Sequence, residues 1–196
     1  MKEDCQAVVL AAGNSGRMGV PKAFLTYDEQ HTFIEHIVSV YAEWHCRQIV
    51  VVVNPEIYPV AVDLTGRFGN ICTLVVNPNP EQGRLVSVRL GMAKVDTGFC
   101  FLHNIDNPFT DADLLTRLYL CKDRGDVIIP SWNGKGGHPV LLSWKVVDGI
   151  RNATTGDQNL HKLLDDYNKY YLLCNNEMIL RNINTQEEFR KWRNEK

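Results

Sequence analysis

AVVLAAGNSGRMGVPK, Ala7 to Lys22, runs from an apolar segment straight into a loop with three glycines, an arginine and a lysine. A strand of small and β-branched residues feeding a glycine-rich turn is how a parallel α/β sheet begins. In such sheets ligands collect where the strands end. Further along, IVVVVN (49–54), TLVVN (73–77), FCFLHNID (99–106) and DVIIPS (126–131) repeat the short apolar run. Their near-continuous hydrophobicity predicts strands buried on both faces.

Helical spacing fills the intervals. Phe33, Ile34, Ile37, Val38 and Tyr41 form one apolar stripe, opened by the capping-box pattern Thr32…Glu35. Leu85, Val88, Met92 and Val95 form a second stripe. Leu114, Leu115 and Leu118 form a third, behind the cap candidates Thr110 and Asp111. Past residue 130 the rhythm changes: GHPVLLSW (137–144) and YYLLC (170–174) read as strands not separated by a single simple helix. Asp157 is placed to cap a helix striped by Leu160, Leu163, Leu164 and Tyr167, and Thr185…Glu188 opens a terminal helix. The expected fold is α/β: a three-layer, mostly parallel twisted sheet with helices on both faces, in one domain over 1–196.

Composition narrows the partners. The chain is 44% hydrophobic and 22% charged, with a net charge of −2, so no broad basic surface for nucleic acid is expected. The start MKEDCQ is polar and charged, and no apolar run reaches membrane-spanning length, which predicts a soluble, cytoplasmic protein with no membrane partner. The six cysteines, at 5, 46, 72, 100, 121 and 174, form no CxxC pair and sit mostly in apolar runs. Buried reduced thiols fit that pattern better than a disulfide framework or a zinc site.

The loop itself admits several phosphate-binding schemes. A Walker loop fails, because five residues separate Gly13 from Gly19 and Val20 follows. The dinucleotide fingerprint fits poorly, because the spacing is Gly13-x-x-Gly16-x-x-Gly19 and Pro21 interrupts any following helix. Taken as they stand, glycines let backbone N–H groups approach phosphate oxygens, and Ser15 adds a hydroxyl. Arg17 supplies a planar fork and Lys22 a movable point charge. The bland alternative is a glycine-rich turn with solvated basic side chains.

LAAG-x-S-x-RMG-x-PK closely resembles the signature of the nucleoside triphosphate transferase family, and its nearest branch is similar to the molybdenum cofactor cytidylyltransferases and guanylyltransferases. The resemblance implies a Rossmann-like nucleotidyltransferase fold, with a nucleotide-binding half over about 1–110 and an acceptor-binding half over about 111–196. It implies catalytic roles for Arg17 and Lys22, and places Leu10, Ala11, Ala12 and Gly13 beside base and ribose. Gly83 and Ser87, in NPEQGRLVSVRLGMA, match a nucleotide-contacting segment, although Leu85 and Val86 stand where the branch has small polar residues.

The same resemblance implies Mg2+, held by Asp106 of Asp106-Asn107-Pro108, with Asn184 of RNINTQEEF as a second metal contact. In that last segment Gln186 replaces a proline. GGHPVLLS is similar to the G-H-P-[V/I]-L segment of the cytidylyltransferase branch and makes His138 an acceptor-pocket residue. Gly156 and Asp157 match a segment near the acceptor, where His161 replaces an arginine and Asn159 a glycine. The implied reaction moves CMP from CTP to the phosphate of molybdopterin or its molybdenum-loaded form and releases pyrophosphate, with transient contact to a molybdoenzyme or chaperone. CTP is preferred because LAAG stands where the guanine branch reads LAGG. A sugar or polyol phosphate acceptor, GTP as donor, and a non-catalytic nucleotide-binding module remain open. A nicotinamide-dependent oxidoreductase is disfavoured by the glycine spacing.

Overall fold

The computed structural model describes residues 2–13, 18–96, 98–153 and 160–195. The strands are β1 (Lys2–Leu10), β2 (Cys46–Val53), β3 (Cys72–Val76), β4 (Phe99–Asn104), β5 (Val127–Trp132), β6 (Lys135–Gly136), β7 (Val140–Ser143) and β8 (Lys169–Leu173). Among the described residues they make one sheet in the order β3-β2-β1-β4-β7-β5-β6, with β8 added to β5. Pairs β1–β2, β1–β4, β2–β3 and β5–β8 are parallel, while β7 runs antiparallel to both β4 and β5. The sheet is therefore mostly parallel, as its apolar strands require.

The period of two along each strand divides the core. Ala7, Val9 and Ala11 point to one face with Val51 and Val53, and Val8, Leu10 and Ala12 to the other with Val50 and Val52. Helices α1 (Phe33–Glu43), α2 (Tyr58–Phe68), α4 (Ala112–Leu120) and α7 (Gln186–Glu195) cover the first face. Helices α3 (Arg84–Met92), α5 (Trp144–Asn152) and α6 (Leu160–Asp165) cover the second. On that second face Gly91 lets α3 lie close to the sheet, since a methyl there would overlap the Val8 side chain.

Local signals explain most boundaries. Thr32 and Glu35 form the reciprocal capping box of α1, and the Asp111 carboxylate accepts from Leu114 N–H (2.8 Å) to start α4. Thr185 and Glu188 exchange the corresponding pair ahead of α7. The Asp157 cap lies outside the described residues.

Two elements depart from expectation. Helix α2 has only Ala61 and Leu64 buried and leaves Val60 and Val62 exposed, so it carries little periodic signal. Asn54 prepares its start by accepting Ile57 N–H (2.8 Å). The run 137–144 is not one strand: β7 covers only Val140–Ser143, and Trp144 opens α5, whose Val146, Val147 and Ile150 are buried. An apolar strand running directly into an apolar helix hides the boundary. Five of the six cysteines are buried and all six are unpaired.

Candidate active site

Strand register brings the site together. Leu10 lies level with Val52 on one side and Asn104 on the other. The ladder goes one residue further, through Ala11 N–H to Val52 O (2.8 Å) and Ile105 N–H to Leu10 O (3.1 Å). Both chains then leave the sheet side by side, so the glycine loop begins next to Ile105 and Asp106. A cleft of about 250 Å³ opens there, lined by Leu10, Ala11, Ala12, Gly13, Lys22, Ser87 and Asp106, among others. Ser87 is fixed by the buried Asn77, whose amide donates to its hydroxyl (2.9 Å). Gly83, with φ +101°, caps α3 beside the cleft, between the lining residues Pro80 and Arg84. Ser15 and Arg17 lie outside the described residues, as does Asp157.

Lys22 sits at the start of a single 3-10 turn, Lys22–Phe24, directly after Pro21. Its ammonium donates to the Asn184 side-chain carbonyl at 2.6 Å and lies 3.9 Å from the Asp106 carboxylate. Three residues far apart in sequence thus share one point at the cleft mouth. Asp106 is held by its backbone, its carbonyl accepting Ile183 N–H at 2.7 Å. Asn107 steadies the same crossing by donating to the carbonyls of Ile179 (3.0 Å) and Arg181 (2.9 Å). The loop's far side is tied to α7 by Gln186, whose amide donates to Met18 O at 2.8 Å.

Burial and two nearby cations set the electrostatics of Asp106. Burial raises its pKa above the usual carboxylate value, with Lys22 and Arg84 opposing that rise. Its Oδ1 is buried and takes no hydrogen bond from the described residues. An orphaned carboxylate oxygen and a nearby amide carbonyl are hard oxygen donors, the chemistry that suits magnesium or manganese. Among the described residues no cluster of three His, Cys, Asp or Glu side chains could hold a metal by itself.

A second cleft, about 300 Å³, adjoins the first over β5 and β7. Leu102, Val127, Ile129 and Val140 form its apolar wall, and His138, His161 and Lys169 supply the polar part. Burial, and then Arg84, His103 and His161, hold His138 near pKa 3, so its ring is neutral at physiological pH. Its Nε2 meets Asn104 Nδ2 at 2.9 Å, and Asn104 Oδ1 accepts from Arg84 at 2.8 Å. Arg84 lines both clefts.

Sequence reading missed Arg84, Asn104 and Asn77. Arg84 follows the recognised Gly83 directly, and a cation there was the available signal. The Asn104 side chain bonds only residues twenty or more positions away, and Asn77 reaches the site through Ser87, ten positions on.

Residues 7–170 match the family described as MobA-like NTP transferase domain. The chain is 29% identical to the molybdenum cofactor cytidylyltransferase of Escherichia coli, over 95% of this chain and 93% of the relative. It is 28% identical to a probable molybdenum cofactor guanylyltransferase of Bacillus mycoides, over 94% of each. The crystal structure of Rv0371c from Mycobacterium tuberculosis superposes with a TM-score of 0.80 at 21% identity, covering 96% of this chain and 97% of that one. Rv0371c has also been solved in complex with manganese (TM-score 0.74, 19% identity, 96% and 97% covered). No helix among the described residues is long and apolar enough to cross a membrane. By its strand–loop signature, its sheet and its family match, the chain belongs to the MobA-like NTP transferase family and is a nucleotidyltransferase.

Proposed function

We propose that the protein transfers a nucleoside monophosphate from a magnesium-bound triphosphate, CTP by preference, to the phosphate of a small acceptor, most simply molybdopterin or its molybdenum-loaded form. The observation that carries this reading is the meeting of Lys22, Asp106 and Asn184 at the mouth of the cleft that the glycine loop enters. Leu10 to Gly13 and Ser87 would bind base and ribose, with Gly83 beside them. Ser15, Arg17 and Lys22 would take the phosphates. Asp106, with Asn184, would hold Mg2+. The ion supplies charge neutralisation on the triphosphate when bound, and the manganese complex of Rv0371c is in keeping with a divalent ion on this fold.

No enzyme nucleophile is needed. An oxygen of the acceptor phosphate attacks the α-phosphorus, the bond to the bridging oxygen breaks, and pyrophosphate leaves. Lys22 offsets the charge that builds on the phosphates, and the cleft aligns attacking and leaving oxygens. The acceptor would occupy the second cleft, with His138 and Asp157 on its side. We assign a nucleotide half over about 1–110 and an acceptor half over about 111–196; among the described residues that line the second cleft, Arg84 and Leu102 come from the first half. A cytoplasmic site of action, with hand-over to a molybdoenzyme or chaperone, completes the proposal. The preference for CTP rests on Ala12 in LAAG.

One observation favours a second acceptor class. His161, in place of the expected arginine, lines the acceptor cleft, and a smaller sugar or polyol phosphate would suit that change. Pyrophosphate release from CTP or GTP, with molybdopterin, ribitol phosphate and glucose 1-phosphate in turn, separates the readings. Release with molybdopterin and CTP is expected. Release with none of the acceptors, from protein that binds the nucleotide, would leave a binding module and overturn the proposal.

A further inference from the structure

The wall between the two clefts is a polar chain of three residues. Arg84 opens α3 and lines both clefts; Asn104 ends β4; His138 precedes β7. A guanidinium only donates, so the Asn104 oxygen must face Arg84 and its NH2 must face His138. The His138 Nε2 on that side must then be an acceptor, which a neutral ring provides. The two contacts fix the amide in one orientation, and the amide in turn fixes one nitrogen of Arg84. A guanidinium carries five N–H donors in a planar fork, so the rest stay available to an anion in either cleft. His161 and Lys169 gather further positive or donor character in the acceptor cleft.

We propose that Arg84 is the residue that joins the two substrates, gripping a phosphate of the acceptor beside the bound triphosphate. Asn104 and His138 are positioning residues that aim it. This rests on the transfer reading above and assigns His138 a part played through Asn104 and Arg84. An arginine at this wall meets what an in-line displacement requires, because two like-charged phosphates must be brought to within reacting distance.

The test uses inorganic phosphate as a probe, titrated by calorimetry with magnesium CTP in excess to fill the triphosphate site, into wild-type protein, Arg84→Ala, Arg84→Lys, His138→Leu, His138→Gln and the Arg84→Ala/His138→Leu double variant. Arg84→Ala should weaken binding at least about tenfold, and Arg84→Lys should fall between, since a point charge cannot hold Asn104 and an anion together. His138→Leu should cost about threefold or more, but add nothing in the Arg84→Ala background, because its effect passes through that side chain. His138→Gln keeps an acceptor for Asn104 and should restore most of the binding.

In turnover with CTP and molybdopterin, Arg84→Ala should raise KM for the acceptor about tenfold and KM for CTP far less. Unchanged phosphate binding in Arg84→Ala, a full His138→Leu effect in its absence, or a rise in KM for CTP alone would overturn the proposal. The transfer reading fails by a different result, namely no protection of wild-type protein by any magnesium nucleotide. Arg84-dependent phosphate binding would then still support an anion-gripping Arg84.

Discussion

The first cleft is floored by backbone and small side chains at the ends of parallel strands, whereas the second, proposed for the acceptor, is walled by Leu102, Val127, Ile129 and Val140 over the antiparallel β7. The first carries charge: Lys22 and Asp106 stand 3.9 Å apart at its mouth. The second offers a surface for an apolar body, with cations and imidazoles around it. On the proposed reading, phosphate chemistry would depend on a few fixed groups on one side, and acceptor choice on shape and scattered polar groups on the other. Substitutions in the two regions should fail differently.

The largest effects belong to the charged point. Lys22→Ala should lower turnover about 10²- to 10³-fold, the usual result of removing one preorganised charge contact, with far smaller change in thermal stability. A loss below about tenfold would remove Lys22 from the catalytic role. Next comes Gly137, which lines the second cleft. A Cβ at Gly137 would lie 2.5 Å from the backbone oxygen of Ile179, so Gly137→Ala must displace the segment that leads to Asn184. It should cost about 1–3 kcal/mol and lower Tm by several degrees, measured by calorimetry. An unchanged Tm would mean that this crossing is loose.

The pH dependence of stability probes the support beneath Asp106. Burial pushes the His103 pKa down to about 4, and the ring is neutral between Tyr41 (3.0 Å) and the Asn107 carbonyl (2.8 Å). The unfolded chain takes up that proton below about pH 6.5, while the native state resists until about pH 4. The unfolded state therefore binds more protons across that window, and stability should fall as pH drops from about 6.5 towards 4, being fully present above it. His138 acts in the same sense, down to about pH 3. A Tm that stays flat between pH 7 and 5 would contradict the buried neutral rings. The smallest effect is expected at Gln186, whose bond to Met18 O ties α7 to the glycine loop. Gln186→Ala should cost about 1 kcal/mol and raise KM for the nucleotide a few-fold, with the acceptor KM unmoved.

The same contrast governs what sequence could reveal. The nucleotide side is carried by one contiguous stretch, Leu10 to Lys22, and by an aspartate directly after a strand, so local pattern and physical role coincide. The capping boxes at Thr32 and Thr185 were legible for the same reason. Helix α2 was not, because it buries only two side chains, and α5 was absorbed into the strand before it. The second cleft is assembled across the chain from Arg84, His138, His161 and Lys169; short segments pointed to His138 and His161, but none singled out Arg84 or Lys169. Asn104 and Asn107 act through bonds to residues twenty or more positions away or to backbone, which no short motif records.

Thermal stabilisation of the wild-type protein and of Asp106→Ala by CTP, GTP, ATP and UTP, each with and without magnesium, tests the central claim most directly. A nucleotide at about 100 times its dissociation constant adds roughly 2.7 kcal/mol, a shift well within measurement. Magnesium-dependent stabilisation of the wild type, largest with CTP and lost in Asp106→Ala, is the predicted result. Stabilisation by no nucleotide, or stabilisation that is indifferent to both magnesium and Asp106, would contradict a triphosphate site built on Lys22, Asp106 and Asn184.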